Sequence, residues 1–300
     1  MQRTAYLAPE GFDDILLEEL GGADQTHDRL LIKNGPPVPA AWAQNIWHDP
    51  VEIAFDSISD AAQKLRAIQR NWISYQYDNF RRAALITEKL PHISAKPMVF
   101  PSALPASPLG GFMLLDKNRM LVSAKTTSPF PNGELHFVED KENPPNRAYL
   151  KLWEAFTLAG KWPQPGERCV DLGACPGGWS WVMAALGAAE VVAVDKAPLA
   201  DNIAKMRNIT FRQESAFGLD PKTFGKVNWM CCDIACYPER LLTLVEKWLA
   251  ADMCRNFICT LKFQAETNHD IARKFAAIPG SRLLHLFHNK HELTWIKLEN

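Results

Sequence analysis

The stretch Asp171-Leu-Gly-Ala-Cys-Pro-Gly-Gly-Trp179 constrains this chain more than any other. It separates a strand-like run, Arg168 to Leu172, from a helix-like run, Trp179 to Leu186. The next apolar run, Val191-Val-Ala-Val194, closes on Asp195. A strand, a glycine turn, a helix and a second strand ending in a carboxylate make a nucleotide-binding βαβ unit. A dinucleotide fingerprint would need glycines at 173, 175 and 178, and position 175 is Cys. The middle glycine of that fingerprint lets the backbone approach a pyrophosphate. Cys175 followed by Pro176 obstructs the approach and removes an amide donor. Gly177 and Gly178 still leave bare backbone beside a ligand. A ligand with a ribose but no pyrophosphate fits better, and S-adenosylmethionine (SAM) is the candidate.

The chain has 300 residues, 47% of them hydrophobic, enough for two ordinary cores. No apolar run approaches the roughly 18–20 residues of a membrane span, and the N-terminus lacks a signal-peptide core. A cytoplasmic location is expected. All seven cysteines fall at or after position 169, none forms a CxxC pair, and their number is odd. They read as small buried hydrophobes rather than disulfides or zinc ligands. His285, His288 and His291 lack the carboxylate pattern of a metal triad, so no metal is expected. Residues 1–145 carry 14 Lys+Arg against 18 Asp+Glu, and residues 146–300 carry 19 against 16. Any nucleic-acid contact must therefore use a local patch. Residues 60–96 offer one, with seven Lys+Arg against three acids and Trp72, Tyr75, Tyr77 and Phe80 interleaved. Cations for phosphates and aromatics for stacking suit single-stranded RNA; an amphipathic helix pair with core aromatics has the same pattern.

Two domains are expected. Residues 1–145 read as a smaller α+β domain ending in a linker rich in Pro, Asn and acid from Pro129 to Pro145. Its elements are strands over Thr4–Ala8 and Arg29–Lys33, helices over Phe12–Leu20, Asp60–Trp72 and Phe80–Leu90, and a hairpin of Phe112–Leu115 with Met120–Ser123. Residues 146–300 open with an amphipathic helix, Tyr149–Leu158. Strands follow at 168–172, 190–195, 208–213, 227–233, 256–263, 282–288 and 292–298, the last two joined by a tight turn and antiparallel. Alternation with helices predicts an α/β doubly wound, seven-stranded, Rossmann-like sheet. Ligands in such sheets bind beyond the strands' carboxyl ends. Gly173, Asp195, Asp233 and Lys262 all fall there.

Four further residues stand out: Lys151 on the first helix, Asp233 ending the fourth strand, Lys262 at the end of the fifth, and Glu292 opening the last. With the glycine turn, they make the chain resemble the FtsJ-type RNA ribose 2′-O-methyltransferases, marked by a Lys–Asp–Lys–Glu set on a SAM-dependent fold. Within that type it is most similar to the large-subunit ribosomal RNA methyltransferase M group. Asp171 to Trp179, Tyr149-Leu-Lys-Leu-Trp-Glu-Ala-Phe156 and Asn289-Lys-His-Glu-Leu-Thr294 carry the resemblance, which covers residues 146–300. Residues 1–145 share only Tyr6-Leu-Ala-Pro-Glu-Gly-Phe12 with that group, whose members are longer and carry a THUMP-type RNA-binding module.

The resemblance implies methyl transfer from SAM to a ribose 2′-hydroxyl of ribosomal RNA, on a cytidine. In-line displacement needs alignment and exclusion of water. A hydroxyl needs a base, and a lysine serves only when burial or a second cation disfavours its charged form. Lys262 is assigned as that base, Lys151 and Glu292 as its orienting partners, and Asp233 as the group that positions donor and lysines. Gly173, Cys175, Pro176, Gly177, Gly178 and Trp179 are expected around the cofactor, with Asp195 on its ribose, Glu214 near adenine, and Asn146 just before the tetrad helix. Asp233-Ile-Ala lacks the fuller polar motif of enzymes that methylate base amino groups. The alternatives are the same chemistry on transfer RNA or a messenger cap, a catalytically silent RNA-binding protein on this fold, and, more remotely, a dehydrogenase.

Overall fold

The computed structural model describes residues 2–299. The chain divides into two compact units, one of residues 1–98 and 104–136, the other of 99–103 and 137–300.

The first unit is α+β. One antiparallel sheet runs Gln25–His27, Leu30–Asn34, Arg3–Leu7, Asn45–His48, Lys125–Thr126. A second runs Val51–Ala54, Arg119–Ser123, Gly110–Leu114, Trp72–Ser74, its last pair parallel. The expected hairpin forms, with Met113 opposite Leu121. Helices Ile58–Ile68 and Phe80–Thr87 bury Leu65, Ala83 and Ile86 against Phe112, Met120 and Val122. The first of these ends at Ile68, short of the expected Trp72, which opens a strand instead. The reason lies in the indole: its Nε1 donates to the carbonyls of Leu65 and Gln69, each at 3.0 Å. Trp72 therefore satisfies carbonyls at the end of the helix that its own spacing had appeared to extend.

The second unit is the doubly wound sheet. Its strands are β1 (Arg168–Leu172), β2 (Glu190–Asp195), β3 (Ile209–Gln213), β4 (Val227–Cys232), β5 (Cys254–Lys262), β6 (Ser281–Leu284) and β7 (Glu292–Lys297). The order is β3-β2-β1-β4-β5-β7-β6, with only the β5–β7 and β6–β7 pairs antiparallel. Its helices are α1 (Tyr149–Ala159), α2 (Gly178–Ala185), α3 (Asp201–Ala204), α4 (Pro221–Phe224), α5 (Pro238–Ala251) and α6 (His269–Ala276). β1 and β4 are buried on both faces, so they read as continuous apolar runs. Cys169, Cys231, Cys232, Cys236, Cys254 and Cys259 are buried free thiols, and only Cys175 is exposed. The strand expected over 282–288 is β6, ending at Leu284, and residues 285–291 form a folded loop rather than a tight turn. Residues expected to be linker also fold onto this unit. Phe137 packs edge-on to Trp153 at 5.5 Å, and the Tyr149 hydroxyl donates to the Asp140 carbonyl at 2.9 Å; from the separate segment 99–103, Phe100 stacks on Trp153 at 4.9 Å.

Among the described residues, no helix is long and apolar enough to cross a membrane, and no group of three or more His, Cys, Asp or Glu could hold a metal ion.

Candidate active site

The strand order reverses direction between β1 and β4, where a crevice must open beyond the strand ends. A cavity of about 560 Å³ lies there. Nine of the expected site residues line it: Asn146, Gly173, Cys175, Gly178, Trp179, Asp195, Glu214, Asp233 and Lys262. Pro176 and Gly177 shape the turn without lining it. The Pro176 carbonyl accepts from Ala200 N at 2.9 Å, and Gly177 is the left-handed residue (φ +115°) that caps α2.

Two glycines are fixed by close approach. Gly173 has φ +80°, and a Cβ on it would stand 2.9 Å from the Cα of Ile234. A Cβ on Gly178 would stand 2.6 Å from Asn146 Oδ1. That oxygen accepts from Ala148 N at 3.1 Å and so helps start α1. Trp179 ties α2 to α1, its Nε1 donating to the Ala148 carbonyl at 2.9 Å. The Asp195 carboxylate accepts Cys175 N on one oxygen and Ala197 N on the other, both at 2.9 Å. The carboxylate at the end of β2 thereby holds the glycine turn at the end of β1.

The four charged residues converge. Lys151 Nζ lies 2.9 and 3.0 Å from the two Asp233 oxygens and 3.0 Å from Glu292 Oε1. Lys262 Nζ lies 3.1 Å from Asp233 Oδ1 and donates to the Asp233 carbonyl at 2.6 Å. Sheet register makes part of this inevitable, since Lys262 on β5 sits directly opposite Glu292 on β7. The two lysines differ. Burial pushes the Lys151 ammonium down, but the carboxylates of Asp233 and Glu292 outweigh it and hold the group above its ordinary value. Lys151 is a locked cation, its side chain 10% exposed and off the cavity wall; Lys262 is 26% exposed and on it.

The sequence had not singled out Phe217 and Arg240, which also line the cavity; the Arg240 guanidinium stacks on the Phe217 ring at 3.7 Å. Only the placement of Arg240 in the first turn after Pro238 hinted at it. The basic–aromatic segment 60–96 is partly core. Trp72 and Tyr75 are buried, and the Tyr75 hydroxyl donates to Asp28 Oδ2 at 2.6 Å. Tyr77 and Phe80 are exposed, as are Arg66, Arg70, Arg81, Lys89 and Lys96.

A doubly wound sheet with this turn, a carboxylate at each of two strand ends and a lysine cluster defines a Rossmann-like methyltransferase domain. The FtsJ-like methyltransferase family matches residues 144–283, which lie within the second unit. Similar curated proteins include the ribosomal RNA large subunit methyltransferase M of Halorhodospira halophila, 33% identical over 51% of this chain and 46% of that protein. The protein of the same name from Thauera aminoaromatica is 33% identical over 51% of this chain and 45% of its own length. The chain thus spans about half the length of the curated relatives it matches. Among solved structures, a putative hemolysin from Lactococcus lactis aligns with a TM-score of 0.42 and 18% identity, over 53% of this chain and 92% of that one.

Proposed function

We propose that this protein transfers a methyl group from SAM to a ribose 2′-hydroxyl of RNA, with large-subunit ribosomal RNA as substrate and a cytidine as the modified nucleotide. The observation that carries this reading is the Lys151–Asp233–Lys262–Glu292 cluster at the wall of a cavity beside a glycine turn. The cavity suits the donor. Gly173 and Gly178 leave bare backbone for its methionine part, Asp195 has acceptor capacity for ribose hydroxyls, and Glu214, on the cavity wall, is assigned to the adenine end. When bound, SAM supplies an electrophilic methyl group on a sulfonium.

The residues divide the remaining work. Lys262, open to the cavity, takes the proton from the ribose hydroxyl. Asp233 holds Lys262 through both its carboxylate and its carbonyl. Lys151 stays charged and fixes Asp233 and Glu292. The reaction is then mainly alignment of hydroxyl and methyl donor. The first unit presents RNA through Tyr77, Phe80 and the exposed cations of residues 60–96, with bases stacking on the rings.

Mapping of ribose methylation on ribosomal RNA from cells with and without the gene tests the reading; a site lost on deletion is expected. Lys262→Ala should bind SAM normally and leave that site unmethylated. Full methylation by the variant, or no ribosomal site lost on deletion, would refute it.

A further inference from the structure

Glu154 lies on α1 one turn beyond Lys151, is 2% exposed, and spends its whole carboxylate on one loop. One oxygen accepts Phe287 N at 2.7 Å; the other accepts His288 N at 3.0 Å and His288 Nδ1 at 2.7 Å. That loop, residues 285–291, delivers Glu292 to Lys151. Its far side is secured separately. Asn289 Nδ2 donates to the Glu292 carbonyl at 3.2 Å and to Thr294 Oγ1 at 3.1 Å, and His285 Nε2 meets the Lys290 carbonyl at 3.0 Å.

We propose that Glu154 is a positioning residue for the cluster, a buried carboxylate that clamps the 285–291 loop to α1 and thereby sets where Glu292 meets Lys151. The juxtaposition follows from helix geometry. Residues three apart lie on one face, so α1 presents an ammonium to Glu292 and a carboxylate to the backbone leading into it. A buried carboxylate is costly unless its lone pairs are filled, and here two backbone amides and a ring nitrogen fill them. The clamp also accounts for two sequence motifs together: Lys151 and Glu154 belong to one, Asn289 and Glu292 to the other, which His288 immediately precedes. Pairing with β5 holds the Glu292 backbone opposite Lys262; without the clamp, the loop leading into it would let the carboxylate shift by about an ångström from Lys151. Displacements of that size cost about 100-fold in rate where alignment is the main contribution.

The inference rests on the proposed reaction for its kinetic consequence but not for its structural one, so two readouts separate them. In hydrogen exchange, Glu154→Gln puts an amide N–H where an acceptor is needed; the 285–291 peptide should exchange faster while β4 and β5 stay protected. In methyl transfer to ribosomal RNA, Glu154→Gln should lower kcat about 10- to 100-fold with the SAM Kd unchanged. Combined with Glu292→Gln it should add less than about twofold, because residues acting through one group are non-additive. Asn289→Ser loosens the loop from its other side and should show the same non-additivity, which keeps the test decisive if Glu154→Gln folds poorly. Unchanged exchange in 285–291 overturns the clamp even if the wild type transfers no methyl group; that second result would refute the proposed reaction alone. Losses that multiply in the double variants show a general packing role and overturn the positioning role.

Discussion

Asp171 is the penultimate residue of β1, beneath the glycine turn, and is fully buried. One carboxylate oxygen accepts the Ser180 hydroxyl at 2.6 Å; the other has no hydrogen-bond partner among the described residues. Burial pushes its carboxyl up from 3.8 to about 7, the Ser180 bond opposes this, and the charge of Asp233 adds to it. The sign follows from proton counting. Between those two pH values the folded chain holds a proton that the unfolded chain has lost, so stability falls as pH rises. At roughly 1.4 kcal/mol per pH unit, the group costs about 2 kcal/mol at pH 5.5 and about 4 kcal/mol at pH 8. Asp171→Asn keeps an acceptor for Ser180 and cannot ionise. Any fixed cost of the new buried amide is the same at both pH values. The variant should therefore gain about 2 kcal/mol on the wild type between pH 5.5 and pH 8. Urea-dependent hydrogen exchange of β1 peptides reports the second unit alone, which avoids treating a two-unit chain as two-state. Comparison with wild type also cancels His285, whose imidazole burial pushes down to about 4 and which destabilises the fold as pH drops below about 6.5. Parallel stabilities at the two pH values would show that Asp171 is ionised throughout and that the argument from burial is wrong.

Other expectations are direct. Lys151→Met removes the buried ammonium that joins the Asp233 and Glu292 carboxylates and leaves Lys262 as the remaining cation on Asp233; it should cost about 3–5 kcal/mol in urea unfolding of the second unit, and a cost below about 1 kcal/mol would mean that the cluster is solvated. Gly173→Ala puts a side chain at φ +80° with its Cβ 2.9 Å from the Ile234 Cα, so calorimetry should find SAM binding weakened at least about tenfold, since a misplaced turn misplaces its donors. Trp72→Phe removes the donor to two helix-end carbonyls and should destabilise the first unit by about 1–3 kcal/mol in exchange protection of residues 58–68. Phe80→Ser with Arg81→Glu should weaken RNA binding and flatten its salt dependence by about one unit of slope; equal affinity at every salt concentration would remove the first unit's exposed ring and cation from the RNA path.

What was legible in the sequence follows burial. Strands enclosed on both faces, such as β1, β2 and β4, are continuous apolar runs punctuated by Gly, Asp or Pro, and their charged termini stand where the topology needs them. Lys262, Asp233 and Asp195 could therefore be placed before any fold was known. Glu292 was legible as the opening of the last strand, but its partners were not, because the loop of residues 285–291 that leads into it follows no period. Strands Val51–Ala54 and Lys125–Thr126 escaped notice because they are short and largely exposed, with no alternation to read. Trp72 misled because its ring packs against the helix from outside it. Phe217 and Arg240 come from segments that only tertiary structure brings together, and neither stands in a recognisable spacing.

The charge count of the cluster carries one further consequence. With both lysines protonated, two ammonium groups balance two carboxylates. When Lys262 gives up its proton, the cluster keeps Lys151, Asp233 and Glu292 and carries one net negative charge. A cation placed in the adjoining cavity repels the Lys262 ammonium, which is the same as favouring the net negative state left when the proton goes, and so favours the neutral amine. SAM brings one more positive charge than S-adenosylhomocysteine, in otherwise the same shape. Titrating each into the protein at pH 9 in buffers of different ionisation enthalpy should show more protons released with SAM, and Lys262→Met should abolish the excess. Equal proton release by the two ligands would mean that the bound sulfonium does not couple to Lys262, and the assignment of that residue as base would fall with it.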